Sequence, residues 1–586
     1  MLQQSGSQDE ARLTAMYDVA RLAAIGVLLG LTAMFVLPMF LGGRVDFLAM
    51  YLAQRHDLPL IWVFMLAALL RLEPAPPSPD LLDRGRLLLV ASVITFLIAG
   101  WAGNYLVFQN ISISRDENMA IFDQQIFSRG ALMWPIPIEW RAMLDPLNRL
   151  FTLVVGANEY WVSGYLPMNS AARALVALVA DPALTSPLFV VLATICIWFA
   201  ARKLWPDSRR PAALAVVLMI TSSQVLITSM TPFAMSMHLG MNLLWLALFL
   251  NDRRHTHVAA AVVGFLATGI HQPLFHPLFV LPFFILLLAQ RRWRLLLFYG
   301  AAYALIAAFW LWWPGWILSQ GTSPSAVVQC SEGMCSSVKI FDRLLQLLGS
   351  ITVANLWLTS ANLLRFVTWQ HPILLPLAIF GTISCWRAEP NVKALAAGLL
   401  LPIIVLAIIL PWQGHGWGYR YVHPVVGNAI LLACYGFHRI EKSGLSLRRP
   451  LILTTAAAGL LLVVHGVMAA RLAAPYTQLR KELAAIDADV VIVDTVGAPF
   501  GTDVVVNRFD LSNRPKFLIA KLVKVGDIPN LCRHSSLAFF DGPRMAPLMK
   551  AFTGRPQKET SDKAKELRAA AMASGCQISV STPAIR

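Results

Sequence analysis

The sequence predicts an all-α polytopic membrane protein that carries a small C-terminal α/β domain, and three observations lead there. Of its 586 residues, 57% are hydrophobic and 14% charged, with a mean hydropathy of +0.61, outside the range of soluble domains. The apolar residues gather into runs near the ~20 residues a span requires, and a span must satisfy its own backbone hydrogen bonds, so the runs read as helices. The net charge is +16, yet Lys and Arg fall in short clusters between the runs rather than along one basic stripe. That pattern sets membrane topology and argues against a nucleic-acid partner.

Taken in order, the runs predict helices at 22–40, 58–71, 86–108, 185–202, 212–228, 235–250, 257–271, 273–290, 295–313, 370–386, 393–411, 421–438 and 450–471, roughly thirteen crossings. Clusters such as Arg84 with Arg86, Arg202 to Arg210, Arg291 to Arg294 and Arg439 to Arg449 mark every second connection as cytoplasmic. An odd count then puts the amino terminus inside and leaves 109–184, 314–369, 412–420 and 472–586 on the outer side. The first run has no small-residue cleavage signature and reads as a retained anchor. Residues 1–85 are therefore expected to supply extra N-terminal membrane helices, 86–471 a catalytic core with large external loops at 109–184 and 314–369, and 472–586 a periplasmic domain.

Four of the seven cysteines, Cys330 with Cys335 and Cys532 with Cys576, fall in segments assigned to the outside. Disulfides are permitted there, and free thiols are the equal alternative. Cys196, Cys385 and Cys434 lie within apolar runs and read as small core residues.

Residues 109–184 are too long for a connector and too apolar for a disordered linker. Met119, Phe122 and Ile126 recur at helical spacing before Gly130, which reads as an interfacial helix holding Gln124. Trp134, Trp140, Tyr160, Trp161 and Tyr165 follow as headgroup-level aromatics. The helix opens on Ser114-Arg-Asp-Glu117, a capping box in which Glu117 closes on Ser114 and Asp116 lies near the positive end of the helix dipole. Two roles fit the acidic pair: a structural cap, or a carboxylate that takes a proton at the membrane face.

The second constellation is Pro411-Trp-Gln-Gly-His-Gly-Trp-Gly-Tyr-Arg-Tyr421. Its glycines let backbone approach a ligand closely, and the Arg420 fork suits a phosphate; a tight turn with Arg420 reaching headgroups is the structural alternative. His415 and Tyr421 would join Arg420 around that phosphate, and Trp134, Trp417, Tyr419 and Gln124 would line a substrate pocket. His238, His271 and His276 lack metal-ligand spacing and read as hydrogen-bonded core histidines. No Walker loop, dinucleotide-binding G-x-G-x-x-G or G-x-S-x-G elbow is found, so neither NTP-driven nor α/β-hydrolase chemistry is supported. In the tail, Leu479 to Ile486 reads as helix, and Val490 to Asp494 and Asp503 to Asn507 as strands.

Arg115-Asp116-Glu117 and the segment from Gly414 to Tyr421, with many helices between, resemble the GT-C superfamily of lipid-linked-sugar glycosyltransferases. The similarity is strongest to the branch of bacterial aminoarabinose transferases and protein O-mannosyltransferases. It implies a multi-pass inner-membrane enzyme that moves a hexose or pentose from a polyprenyl-phosphate carrier to a lipid, polysaccharide or protein acceptor at the periplasmic face. It further implies that Asp116 lies near the acceptor, with Glu117 as a supporting or alternative group, and that Arg420 lies near the donor phosphate. No cofactor is expected, and a divalent metal ion is left open. A transporter or flippase of lipid-linked sugars is the rival reading, which calls for buried charges and internal repeats.

Overall fold

The computed structural model describes residues 2–40, 46–74, 80–321, 352–555 and 559–579; Cys330 and Cys335 lie outside them. All thirteen expected runs contain helix. Among the described residues, six helices are long and apolar enough to cross a membrane: Glu10–Phe40, Leu81–Leu106, Pro182–Leu204, Trp293–Leu318, Pro390–Ile409 and Arg448–Ala484. The pair Arg210–Ile220 and Ser223–Ser229, bent by 59°, makes a seventh if counted as one span. The chain is thus a helical, multi-pass membrane protein, and thirteen full-length spans is more than these lengths provide.

One departure accounts for part of the difference. The run at 58–71 is broken into Leu58–Leu60 and Ile61–Ala68, and eight residues rise only about 12 Å, well short of the hydrocarbon core. Conversely, the segment expected to be an external loop at 314–369 contains the helix Val353–Thr368. Its buried side carries Thr359, Asn362, Arg365 and Thr368, so hydropathy conceals it.

The chain divides into two compact units. The first comprises 1–103, 183–311 and 337–468. Its helices pack closely where glycines permit: a Cβ at Gly381 would stand 2.0 Å from the Leu432 carbonyl oxygen, and one at Gly240 would stand 2.6 Å from that of Phe189. At its basic connections, Arg210 draws in Asp80, Asp83 and Glu441 at 2.7, 2.5 and 2.5 Å. The N-terminal helix is fastened by the Trp357 indole, which donates to the Phe35 carbonyl at 2.7 Å.

The second unit comprises 104–182, 312–336 and 469–586. Residues 104–182 and the C-terminal residues share this unit. Met119, Phe122, Ile136 and Trp161 share one apolar cluster with Val490, Ile492, Phe509 and Leu537. Trp161 donates to the Phe509 carbonyl at 2.8 Å and the Ile519 amide to that of Pro146 at 2.8 Å. Val490–Val493 is the central strand of a three-stranded parallel sheet, flanked by Lys516–Ile519 and Leu537–Phe540. Four consecutive buried apolar residues are what such a strand requires. A small antiparallel sheet joins Trp134–Pro135, Tyr160–Ser163 and Thr152–Val155. The strand expected at Asp503 to Asn507 is absent; Gly501–Val504 forms a 3₁₀ turn, because the Thr502 and Val505 carbonyls serve Arg115 and Asn148 instead of a ladder. Cys532 and Cys576 are disulfide-bonded, with Cα atoms 4.9 Å apart.

Candidate functional site

Asp116, Glu117, Gln124 and Trp134 belong to the second unit, and His415, Trp417, Tyr419, Arg420 and Tyr421 to the first. In the second unit Ser114 caps the helix Arg115–Phe127 through the reciprocal box the sequence announces. The Glu117 carboxylate accepts from the Ile113 amide, the Ser114 amide and the Ser114 hydroxyl, each at 3.0 Å. Glu117 is 1% exposed, and burial pushes its carboxyl up to about 7 although those three donors and Arg480 oppose the shift. A carboxyl titrating near neutrality has the acidity of a general base, but one of its oxygens is already filled by backbone and hydroxyl donors. Geometry precedes acidity in choosing a base, so Glu117 is a cap.

Asp116 differs. It is half-buried, takes no part in the box, and its Oδ1 accepts a hydrogen bond from the Tyr165 hydroxyl. Its neighbour Arg115 has its guanidinium 3.6 Å from Asp503 and donates to the Thr502 carbonyl at 2.7 Å. Burial raises the Asp503 carboxyl to about 6 against the attraction of Arg115 and Arg480, with the Asp116 charge adding to the rise. Asp123, which sequence reasoning passed over, is 2% exposed. It accepts from the Ser163 amide at 2.8 Å and is pushed up to about 8 by burial.

In the first unit the glycine-rich loop is buried and held by its own Gln413 and by side chains from distant helices. Gln413 accepts from the Arg420 amide at 2.9 Å and donates to the Gly418 carbonyl at 3.2 Å. Arg365 donates to the Gly416 carbonyl at 3.0 Å, and Gln224 to that of Tyr419 at 2.8 Å. Gln370 donates to Gln224 at 2.9 Å and accepts from Ser222 at 2.7 Å, so the bend between Ile220 and Ser223 presents Gln224 to the loop. Behind Arg365 stands Asp57, 3.9 Å away and fully buried, which accepts from Thr368 and the Trp369 indole at 2.9 Å each. Gly418 has φ +65°, and a Cβ there would stand 2.4 Å from Gln224. The turn therefore requires glycine.

Arg420 is 5% exposed. Its guanidinium lies 4.8 Å from the Tyr421 ring centroid and 5.2 Å from that of Phe233, and it donates to the Tyr421 hydroxyl at 3.1 Å. Trp417 is buried against Trp369 at 6.0 Å between ring centroids. His415 and Tyr419 are buried in the same loop. Trp134 packs edge-on to Phe509 at 5.0 Å beneath Arg129, and Gln124 is buried with its amide 3.4 Å from Ser128. Of the core histidines, His276 bonds Asn242 and Tyr303, both at 2.7 Å. Among the described residues no group of three His, Cys, Asp or Glu is arranged to hold a metal ion.

Besides Asp123, the residues that sequence reasoning missed are Gln224, Arg365, Gln370 and Asp57. One local signal existed: Ala361, Leu364, Arg365 and Thr368 recur at helical spacing within a segment otherwise taken for loop.

No family model matches this chain, and no curated protein matches it. Among solved structures it is similar to ArnT from Cupriavidus metallidurans bound to undecaprenyl phosphate, at 15% identity over 84% of this chain and 88% of that one, with a TM-score of 0.43. The apo state of the same protein aligns at 13% identity over 85% and 89%, with a TM-score of 0.42. An Archaeoglobus fulgidus oligosaccharyltransferase tethered to an acceptor peptide aligns at 12% identity over 74% of this chain and 60% of that one, with a TM-score of 0.38.

Proposed function

We propose that the chain is a membrane glycosyltransferase that moves a sugar from a polyprenyl-phosphate carrier to an acceptor at the periplasmic face of the bacterial inner membrane. The observation that carries this reading is the division of labour within the acidic pair. Glu117 and Ser114 complete the helix cap, so the half-exposed Asp116 carboxylate on Tyr165 is not needed for it.

In the proposed reaction an acceptor O–H attacks the anomeric carbon and its proton passes to Asp116. The bond from the anomeric carbon to the phosphate oxygen breaks, and polyprenyl phosphate leaves with the electron pair. Arg420, held by the Gln413 scaffold and flanked by Phe233 and Tyr421, meets the charge on the departing phosphate, with His415 beside it. Orientation rests on the basic clusters between helices and agrees with the Cys532–Cys576 disulfide, a bond suited to an oxidising compartment.

The rival reading, a transporter of lipid-linked sugars, draws on the bent helix pair at 210–229 and the buried Asp57 with Arg365. Both features are already employed in holding the 411–421 loop, which favours the enzyme. Asp116→Asn tests it: turnover should fall about a hundredfold or more, the scale of general-base loss, with an unchanged melting temperature. Full turnover in that variant with both substrates saturating removes Asp116 from the chemistry.

A further inference from the structure

A cleft of about 220 Å³ lies wholly within the second unit, and Asp116 and Glu117 do not line it. Its wall carries four arginines, Arg115, Arg149, Arg480 and Arg508, and no Asp or Glu. Three of them have carboxylate partners, Asp503 at 3.6 Å, Asp145 at 2.5 Å and Asp510 at 3.4 Å, but none of those carboxylates faces the cleft. Arg480 donates to the Asp503 carbonyl at 2.9 Å and to the Ser112 hydroxyl at 3.5 Å, and has no ion pair within 4 Å among the described residues.

Three buried donors on residues of this wall have no hydrogen-bond partner among the described residues, and one of them, the Nε of Arg115, lies 3.6 Å from Asp503. Asn118 is 6% exposed, and its Oδ1 is taken by the Ser112 hydroxyl. Its Nδ2 and the Nε of Arg480 have no hydrogen-bond partner among the described residues. Buried donors are ordinarily paired, so unpaired ones lining a cavity mark where a ligand's acceptors belong. The lining also includes the aromatic side chains of Phe122, Trp161 and Phe509. Guanidinium groups select phosphate or carboxylate, amides suit hydroxyls, and an aromatic ring suits the C–H face of a pyranose.

We propose that this cleft binds an anionic saccharide unit, a sugar bearing a phosphate or carboxylate group, whether free or at the head of a lipid. Arg480 and Arg508 take the anion, Asn118 donates to the sugar, and the aromatic side chains pack against the ring. Binding here does not require the transfer reaction, so it is read without turnover, and its outcome is separable from that of Asp116→Asn.

The test is calorimetry on the full-length protein in detergent, with glucose 6-phosphate, glucose, AMP and an alkyl glucoside 6-phosphate as probes. Glucose 6-phosphate should bind, weaken as salt rises, and exceed glucose and AMP at least tenfold. Arg508→Glu, at a position 52% exposed, should lower that affinity tenfold or more with an unchanged melting temperature. Asn118→Asp should do the same by bringing a carboxylate to the wall. Tighter binding of the alkyl probe assigns the saccharide to a membrane-borne source and equal binding to a free one; both support the site. Equal affinity for glucose 6-phosphate in wild type and Arg508→Glu, or equal binding of glucose or AMP, overturns it.

Discussion

The acidic segment at 112–118 and the glycine-rich loop at 411–421 are both buried polar structures, yet they are built on different length scales. Glu117 is satisfied entirely by residues three and four positions away. The loop is satisfied by Arg365, Gln224 and Gln413, and the Gln224 contact to Tyr419 spans 195 residues of sequence. A short-range device survives the loss of distant partners, whereas a long-range scaffold fails when one helix loses a side chain. Substitutions should therefore be mild in the first region and severe in the second, except at Asp116, whose role is chemical.

The largest stability effect is expected at Arg365. Arg365→Met leaves Asp57 buried without its charge partner, which should cost about 3–5 kcal/mol in chemical or thermal unfolding. Asp57→Asn added to Arg365→Met should recover part of that loss, because the orphaned charge is removed. If the single variant unfolds like wild type, the loop does not depend on this pair.

Arg420→Ala comes next and sharpens the contrast by separating scaffold from ligand. It should lower kcat/KM for a polyprenyl-phosphate donor by about 1.5–3 kcal/mol, the scale of hydrogen bonds to charged groups, while Gln413 and Arg365 keep the loop folded. Arg420→Lys should recover only part, since an ammonium lacks the planar fork. An unaltered donor titration for Arg420→Ala would take the phosphate role from it.

Glu117→Gln should be the mildest. The amide oxygen still accepts from the Ser114 backbone, so the loss at pH 5 should be about 1 kcal/mol or less. The sign with pH is specific. The Glu117 carboxyl is raised from 4.5 to about 7 in the folded state, so the folded chain holds the proton more tightly. Its contribution is fully present below about pH 4.5 and is lost as pH rises through about 7. Glu117→Gln should therefore close its deficit to wild type between pH 5 and pH 8 in melting experiments. A deficit that grows with pH would mean that the carboxylate is ionised and favoured in the fold.

The same contrast decides what the sequence discloses. The cap at Ser114 to Glu117 was legible because four consecutive residues encode both halves of the box, and most helices because lipid demands apolar runs. Val353–Thr368 escaped because its buried side mixes Thr359, Asn362, Arg365 and Thr368 with apolar residues, so hydropathy does not mark it and only its short helical period does. Asp503 to Asn507 read as a strand from its three valines, but the carbonyls at Thr502 and Val505 are claimed by Arg115, 387 and 390 residues earlier. The density of glycine and tryptophan around Arg420 was visible. The partnership of Gln224 and Arg365 with the loop was not, because contacts between distant segments leave no mark in the local sequence.

The central claim is transfer from a lipid-phosphate sugar, and the most direct measurement is in vitro turnover of purified protein with a panel of polyprenyl-phosphate sugars and candidate lipid, polysaccharide and peptide acceptors. At least one donor is expected to yield glycosylated acceptor and free polyprenyl phosphate in equal amounts, with the rate lost in Asp116→Asn. Passage of intact donor across a proteoliposome bilayer with no sugar transferred to any acceptor would contradict it and leave the transporter reading in its place.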